Sequence, residues 1–218
     1  MSQEEGRQRI LDPLSRVSEI LFGVIMALTF TTTVDAASGG REDVRTLLFA
    51  VVGCNLAWGL VDAVMFLMNA LTGRGRDLLT VRSVRDAGTA GEAHRMIADA
   101  IGPLLSSILT AEDFERVRLG LIRLEDLPPR PRLEKDDWLG ALGVFLLVFL
   151  STFPIVLPFL IFSNVQVGLR VSNLVAIVML FGCGYTLARH GGHRPLTTAF
   201  TMVGLGLVLV AITIALGG

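Results

Sequence analysis

The apolar run over residues 46–71 contains one charged residue, Asp62. The run is longer than the roughly 20 residues that a helix needs to cross a bilayer. Inside hydrocarbon every backbone polar group must find an internal partner, so such a run must be helical. A carboxylate near the centre of a membrane helix costs about 3 kcal/mol on insertion scales, and it usually faces a bundle interior, water or a cation. The run therefore predicts a membrane helix with a functional or buried acid.

Four further segments are long and apolar enough to span a membrane. The chain has 218 residues, of which 52% are hydrophobic and 18% charged, with a mean hydropathy of +0.63, whereas soluble domains carry about 25% charge. No strand-like alternation indicates a barrel. We therefore expect an all-α polytopic membrane protein with five transmembrane helices. They are predicted at residues 17–37, 46–71, 138–163, 171–188 and 195–216.

The chain divides into three parts by composition. Residues 1–71 hold an N-terminal segment and transmembrane helices 1 and 2, and residues 138–218 hold helices 3 to 5. Between them, residues 72–137 are polar and carry most of the charge. Thr110, followed by Glu112 and Asp113, is a good helix start, and Gly102-Pro103 predicts a bend. We expect a small cytoplasmic helical unit whose acids form a solvated face or, alternatively, bind metal. The acids are Glu92, Asp99, Glu112, Asp113 and Glu115.

The basic residues predict the orientation of the five helices. Cytoplasmic loops are enriched in Lys and Arg. With the N-terminus and residues 72–137 in the cytoplasm and the C-terminus outside, only Arg41, Arg45 and Arg170 of the 19 Lys and Arg residues lie outside. Lys135 is the one lysine among the 19 basic residues. This composition suggests a GC-rich bacterial genome, so we expect a multi-pass protein of the bacterial inner (cytoplasmic) membrane. A cleaved signal peptide is the alternative for the first segment, but Glu19 interrupts it.

One face of the second predicted helix carries metal-binding chemistry. Asn55, Gly59, Asp62, Met65 and Asn69 recur at steps of three and four, which places them on one side of a helix. That face offers a carboxylate, amide oxygens and a thioether. It predicts a cation site within the membrane. The alternative is that Asp62 is structural, neutral or hydrogen-bonded against a neighbouring helix.

The third predicted helix contains Pro154 and Pro158. Each proline removes one helical hydrogen bond and clashes with the preceding turn, so we expect a kink rather than a straight helix. Its role is either packing or, as the functional alternative, that of a hinge or a carbonyl ligand facing the cation path.

Enzymatic chemistry has no support in the sequence. Cys54 and Cys183 both fall in apolar segments and form no metal or redox motif. There is no nucleophile–base pair, histidine cluster or cofactor motif, and nothing indicates nucleic-acid binding. We expect neither an enzyme nor a resident cofactor.

The arrangement of two spans, a helical unit and three spans resembles the vacuolar iron transporter family. Three local segments are similar to that family: the acid-then-glycine entry of the first span, the acid-then-methionine pair of the second and the proline-rich third span. In this chain they are Glu19 with Gly23, Asp62 with Met65, and the segment 151–159. The glycine is four residues from Glu19, whereas the family has the pair adjacent.

The resemblance implies a homodimer that exchanges Fe²⁺ or Mn²⁺ for protons across a bilayer. It assigns Asp62 and Met65 as metal ligands and Glu19 as the first-span carboxylate; Met26 lies on the same face as Glu19 and adds a second thioether, and Asn55 an amide oxygen. Carboxylates suit Mn²⁺ and Fe²⁺, and a thioether disfavours Mg²⁺ and Ca²⁺. A buried carboxyl can also hold a proton when metal is absent. The competing hypothesis is a non-transporting membrane scaffold or assembly protein. The two hypotheses differ over whether Glu19 and Asp62 approach each other.

Overall fold

Every regular element in the described part of the chain is helical, as the sequence predicts. The computed structural model describes residues 13–36 and 41–215, apart from the side chains of residues 13–15, 30–36, 41–44, 47, 210, 213 and 214. Residues 1–12 of the predicted N-terminal part and residues 216–218 of the predicted C-terminal part lie outside the described residues. The helices are α1 Pro13–Ala36, α2 Arg41–Asp86, α3 Ala90–Ile101, α4 Pro103–Ser106, α5 Ala111–Arg123, α6 Lys135–Ser151, α7 Phe153–Ile161, α8 Val165–Gly191 and α9 Pro195–Ala215.

Three stretches of the described residues are long and apolar enough to cross a membrane. They are Leu48–Asp86, Lys135–Ile161 and Val165–Gly191, and Pro195–Leu209 is a shorter apolar helix. The first predicted span falls on α1, part of which lies outside the described side chains. A count of five spans therefore stays a prediction.

The chain forms two compact units, and the longest helix, α2, contributes residues to both. The first unit comprises Met1–Phe66 and Asp136–Gly218, and the second Leu67–Lys135. In the first unit α8 packs against α1, α7 and α9. Its core is a cluster of aliphatic side chains: Val24, Ala27, Leu28, Leu48, Val51, Ile155, Val156, Ala176 and Leu180.

Glycines bring the helices of the first unit close together. A Cβ at Gly184 of α8 would lie 2.8 Å from Ala199 Cα of α9. A Cβ at Gly59 of α2 would lie 3.1 Å from Phe145 O of α6, and one at Gly23 of α1 would clash with Ser151. The sequence suggests Gly23, Gly53 and Gly59 as contacts between protomers. Gly23 and Gly59 make these close approaches within one chain, and of the three glycines Gly53 alone has nothing within 4 Å of an added Cβ. A contact between protomers stays a prediction.

The third predicted span is broken where its prolines begin. Helix α6 ends at Ser151, Thr152 separates it from α7, and Pro154 stands in the first turn of α7. The N–H groups of Ile155 and Val156 both bond Thr152 O, at 3.1 Å each. The Ser172 hydroxyl of α8 donates to Ile155 O at 2.7 Å. The expected departure from a straight helix is confirmed.

The second unit is a small helical assembly with its own core. Val84 of α2 packs against Ala93 and Ile97 of α3. Thr110 caps α5 as predicted, in a reciprocal capping box with Asp113. Gly102 has φ 84° between α3 and α4, a backbone conformation that suits glycine, so the predicted bend is also confirmed.

Arginines on the end of α2 hold the proline-rich segment that follows α5. Arg82 donates to Pro129 O at 2.7 Å and to Pro128 O at 3.3 Å. Arg85 donates to Leu121 O at 3.0 Å and also to Leu124 O. The carbonyls that α5 leaves without helical partners at its C-terminus thereby gain charged donors.

Candidate functional site

Glu19 of α1 and Asp62 of α2 each lie one turn from a contact between their helices. The Phe22 and Trp58 rings meet edge to face with centroids 5.6 Å apart. Phe22 follows Glu19 by three residues and Trp58 precedes Asp62 by four, so each acid lies about one turn from this contact. The charge of Asp62 also acts on the Glu19 carboxyl. Two acids from separate helices thus share one region of the bundle.

Asp62 has an unsatisfied oxygen. Its Oδ2 is shielded from solvent and has no hydrogen-bond partner. Buried carboxylate oxygens normally gain hydrogen bonds or a counter-ion, since desolvating them unpaired is costly. The position therefore favours either a proton or a cation on this group.

Asn55 supplies a second unsatisfied oxygen on the same helix. Its side chain is 0% exposed. The amide Nδ2 donates to Val51 O at 3.3 Å, one turn back, while Oδ1 has no partner. The amide is thereby held with its acceptor end free, which is the end that a cation would use.

The two candidate methionine ligands are more exposed to solvent than Asn55. Met65 is 49% exposed, and Met26 is half-buried on α1. The buried positions of α2 in this region are Asn55, Gly59 and Ala63. The residues predicted to share one face therefore differ in burial: Asn55 and Gly59 are buried, whereas Met65 and Asn69 are exposed. The sequence pattern alone could not show this difference, because the spacing of polar and small residues does not tell which of them contact other helices.

Among the described residues, no three His, Cys, Asp or Glu side chains are grouped as a metal site would require. The anionic part of the candidate site is therefore the Glu19–Asp62 pair. Any further ligands must come from amide, hydroxyl, carbonyl or thioether groups, or from water.

Two candidate acids of the second unit, Glu115 and Asp113, have structural partners. Arg118 binds Glu115 with two hydrogen bonds, 2.9 and 2.7 Å long, and His94 Nε2 lies 3.0 Å from the same carboxylate. These contacts, Arg118 first, lower the pKa of Glu115 to about 2. Asp113 accepts from Thr110 and Arg116, and these contacts lower its pKa too. The arrangement favours the solvated, ion-paired face over a metal site.

Thr152 is a polar residue of the bundle interior. The sequence predicts that the hydroxyl of Ser151 or Thr152, or water, satisfies the polar groups that Pro154 and Pro158 leave free. The Thr152 side chain is 1% exposed, and its hydroxyl has no partner, whereas the Ser151 hydroxyl donates to Val148 O.

More than half of the chain matches the model of a protein family. The model of the VIT family matches residues 93–218. No curated protein matches the chain. The matched region contains most of the second unit and all of α6 to α9, while Glu19 and Asp62 precede it. Since the match covers more than half of the 218 residues, the chain belongs to the VIT family.

Proposed function

We propose that this protein transports a divalent transition metal, Fe²⁺ or Mn²⁺, across a membrane in exchange for protons. Membership of the VIT family supports a membrane transporter of metal ions. The observation that carries the site is the placement of Glu19 and Asp62, both partly buried, one turn from the Phe22–Trp58 contact of α1 with α2.

The chemistry of the pair suits metal–proton exchange. Two nearby carboxyl groups in a low dielectric do not both stay charged, so one holds a proton when no metal is bound. A divalent cation neutralises both groups and displaces that proton. The same two acids therefore bind the metal in one state and a proton in the other.

Neutral groups extend the proposed site. Asn55 Oδ1, about two helical turns from Asp62, offers an uncharged oxygen on the path of the ion rather than at the carboxylate pair. Met65 and Met26 offer thioethers, which Mg²⁺ and Ca²⁺ bind poorly. With Met65 half exposed, its sulfur reaches the metal only through a rotamer directed toward Asp62.

The proposal includes a five-span homodimer in the lipid bilayer of the bacterial inner membrane. The N-terminus and residues 72–137 are cytoplasmic and the C-terminus is outside. The distribution of arginine supports this orientation. The open Gly53 position on α2 is compatible with close helix contact between protomers.

Metal uptake into proteoliposomes tests the function. Wild-type protein should take up Mn²⁺ and Fe²⁺ when an opposing proton gradient is present, and Asp62→Asn should abolish uptake because an amide cannot offset the metal charge. Asp77→Asn is the matched control, since Asp77 is an exposed acid of the same helix. Uptake that is equal in wild type and Asp62→Asn would make Asp62 structural and support the scaffold hypothesis.

A further inference from the structure

Asn55 lies on the buried stripe of α2 that also carries Gly59. Gly59 of α2 lies against Phe145 of α6. Nearer the start of α2, residues 45–52 line one groove together with residues 153–160. The two lines of contact show that α2 runs antiparallel to α6 and α7. Asn55, between Val52 and Gly59, therefore faces the segment between Phe145 and Phe153, which ends in Thr152.

The core packing supports this register. Val51 and Val156 belong to the same buried cluster. Asn55 follows Val51 by four residues, and Thr152 precedes Val156 by four, so each lies one turn from that cluster. Because the helices are antiparallel, the step from Val51 forward to Asn55 and the step from Val156 back to Thr152 run in the same direction along the bundle. Asn55 and Thr152 thus lie within about one helical turn of each other along the bundle.

Both residues present oxygens that lack partners. Asn55 is 0% and Thr152 1% exposed, and Asn55 Oδ1 and Thr152 Oγ1 have no hydrogen bond. The neighbouring Ser151 differs, because its hydroxyl donates to Val148 O at 2.7 Å. Two unpaired oxygens within a membrane protein are costly unless something binds them at least transiently.

The helix break adds acceptor character next to Thr152. Helix α6 ends at Ser151, and the last carbonyls of a helix carry partial negative charge. Pro154 has no N–H, so Leu150 O loses its usual donor. In membrane proteins non-helical backbone occurs where it is buried or lines a cavity. Oxygen acceptors without formal charge are what a cation needs when it moves between stronger sites.

We propose that Asn55 Oδ1 and Thr152 Oγ1 form a neutral oxygen station through which a divalent cation passes on its way to or from the Glu19–Asp62 pair. The station lies about 10 Å from Asp62, since Asn55 precedes it by about two helical turns. This inference rests on the proposed function and adds a second step to its path. Because the station carries no formal charge, it binds the ion weakly, as conduction requires.

If the station exists, substitutions in it should slow metal uptake and leave equilibrium metal binding at the carboxylate pair unchanged. Thr152→Val removes the hydroxyl and keeps the shape of the side chain. It should lower the initial rate of Mn²⁺ uptake into proteoliposomes about tenfold or more, as expected for losing one bond to a charged species. Equilibrium Mn²⁺ binding, followed by the paramagnetic resonance signal of free Mn²⁺, should stay within about twofold of wild type. Asn55→Leu should slow uptake similarly.

Two further variants separate the hydroxyl from packing. Thr152→Ser keeps the hydroxyl and should retain most of the wild-type rate. Thr186→Val is the matched control, because the Thr186 hydroxyl already donates to Gly182 O at 2.9 Å within its own helix. This control should transport normally.

The outcomes distinguish the station from the transport function. If wild type transports, Asp62→Asn does not, and Thr152→Val matches wild type, the station is wrong while the function stands. If Thr152→Val and Thr152→Ser are slowed equally, packing rather than the hydroxyl is responsible, and the station is also wrong. If wild type transports no Mn²⁺ or Fe²⁺, the function and the station fail together. Should Thr152→Val fail to fold, the Mn²⁺ uptake rate of Asn55→Leu is compared with those of wild type and Thr186→Val instead, and a rate equal to theirs would show that the station is wrong.

Discussion

The Phe22 ring of α1 meets the Trp58 ring of α2 edge to face, with centroids 5.6 Å apart. Glu19 precedes Phe22 by three residues and Asp62 follows Trp58 by four, so each acid lies one turn from this contact. Two acids so placed within apolar helices favour a shared proton or a shared cation over two separate charges. The proposed exchange of metal for protons follows from that pairing.

We predict that Met65→Leu changes metal preference without unfolding the protein. The substitution conserves volume, and Met65 is half exposed. Loss of the thioether should weaken Fe²⁺ binding more than Mn²⁺ binding, since Mn²⁺ has the stronger preference for oxygen ligands. Competition binding in detergent measures the ratio. Met68→Leu, the same change three residues further along the exposed part of α2, should leave the ratio unchanged, and an equal shift in both variants would exclude a ligand role for Met65.

We predict opposite effects for two neighbouring glycines of α8. A Cβ at Gly184 would lie 2.8 Å from Ala199 Cα and 3.0 Å from Thr198 O, whereas nothing lies within 4 Å of one at Gly182. Gly184→Ala should therefore destabilise the bundle by roughly 1–3 kcal/mol through overpacking. Gly182→Ala should be neutral or stabilise by up to about 1 kcal/mol, because alanine favours the helix. Thermal unfolding in detergent compares them, and equal melting temperatures would refute the close packing of α8 on α9.

The helical class and the local signals follow from short-range chemistry, so the sequence predicts them. Thr110 starts α5 through its own hydroxyl, Gly102 and Pro103 separate α3 from α4, and Pro195 begins α9. Each depends on residues within one turn. The break at Thr152 was predicted as a kink from Pro154 and Pro158 for the same reason.

Contacts between helices were harder to predict. The sequence places Met65 on the same helical face as Asn55, but the direction of that face depends on neighbours such as Phe145 of α6, which lies against Gly59. Likewise, a glycine pattern cannot show whether a close contact is within one chain or between two. Gly23 meets Ser151 in its own chain, which only the packed structure reveals.

We predict an acid-sensitive contact in the second unit. The folded pKa of Glu115 is about 2, below its ordinary 4.5, chiefly because of its hydrogen bonds to Arg118. A depressed pKa contributes stability above the unfolded pKa, and that stability is lost as the pH falls from about 4.5 to about 2. Glu115→Gln should therefore lower hydrogen-exchange protection of α3 and α5 at neutral pH, and the difference from wild type should shrink across that range.

Glu125→Gln is the control for this prediction, because Glu125 is an exposed acid of the segment after α5. It should leave protection in α3 and α5 unchanged at every pH. Protection that is identical in Glu115→Gln and wild type at neutral pH would show that the contacts of Glu115 with Arg118 and His94 do not stabilise the unit.

Counting the protons released on metal binding tests the Glu19–Asp62 site most directly. Calorimetric titration of the purified protein with Mn²⁺, in two buffers of different ionisation enthalpy, gives that number. We predict release of about one proton per metal at neutral pH, an affinity that rises with pH, and no binding in Asp62→Asn. Mn²⁺ binding without proton release, or binding that survives unchanged in Asp62→Asn, would contradict a shared carboxylate site.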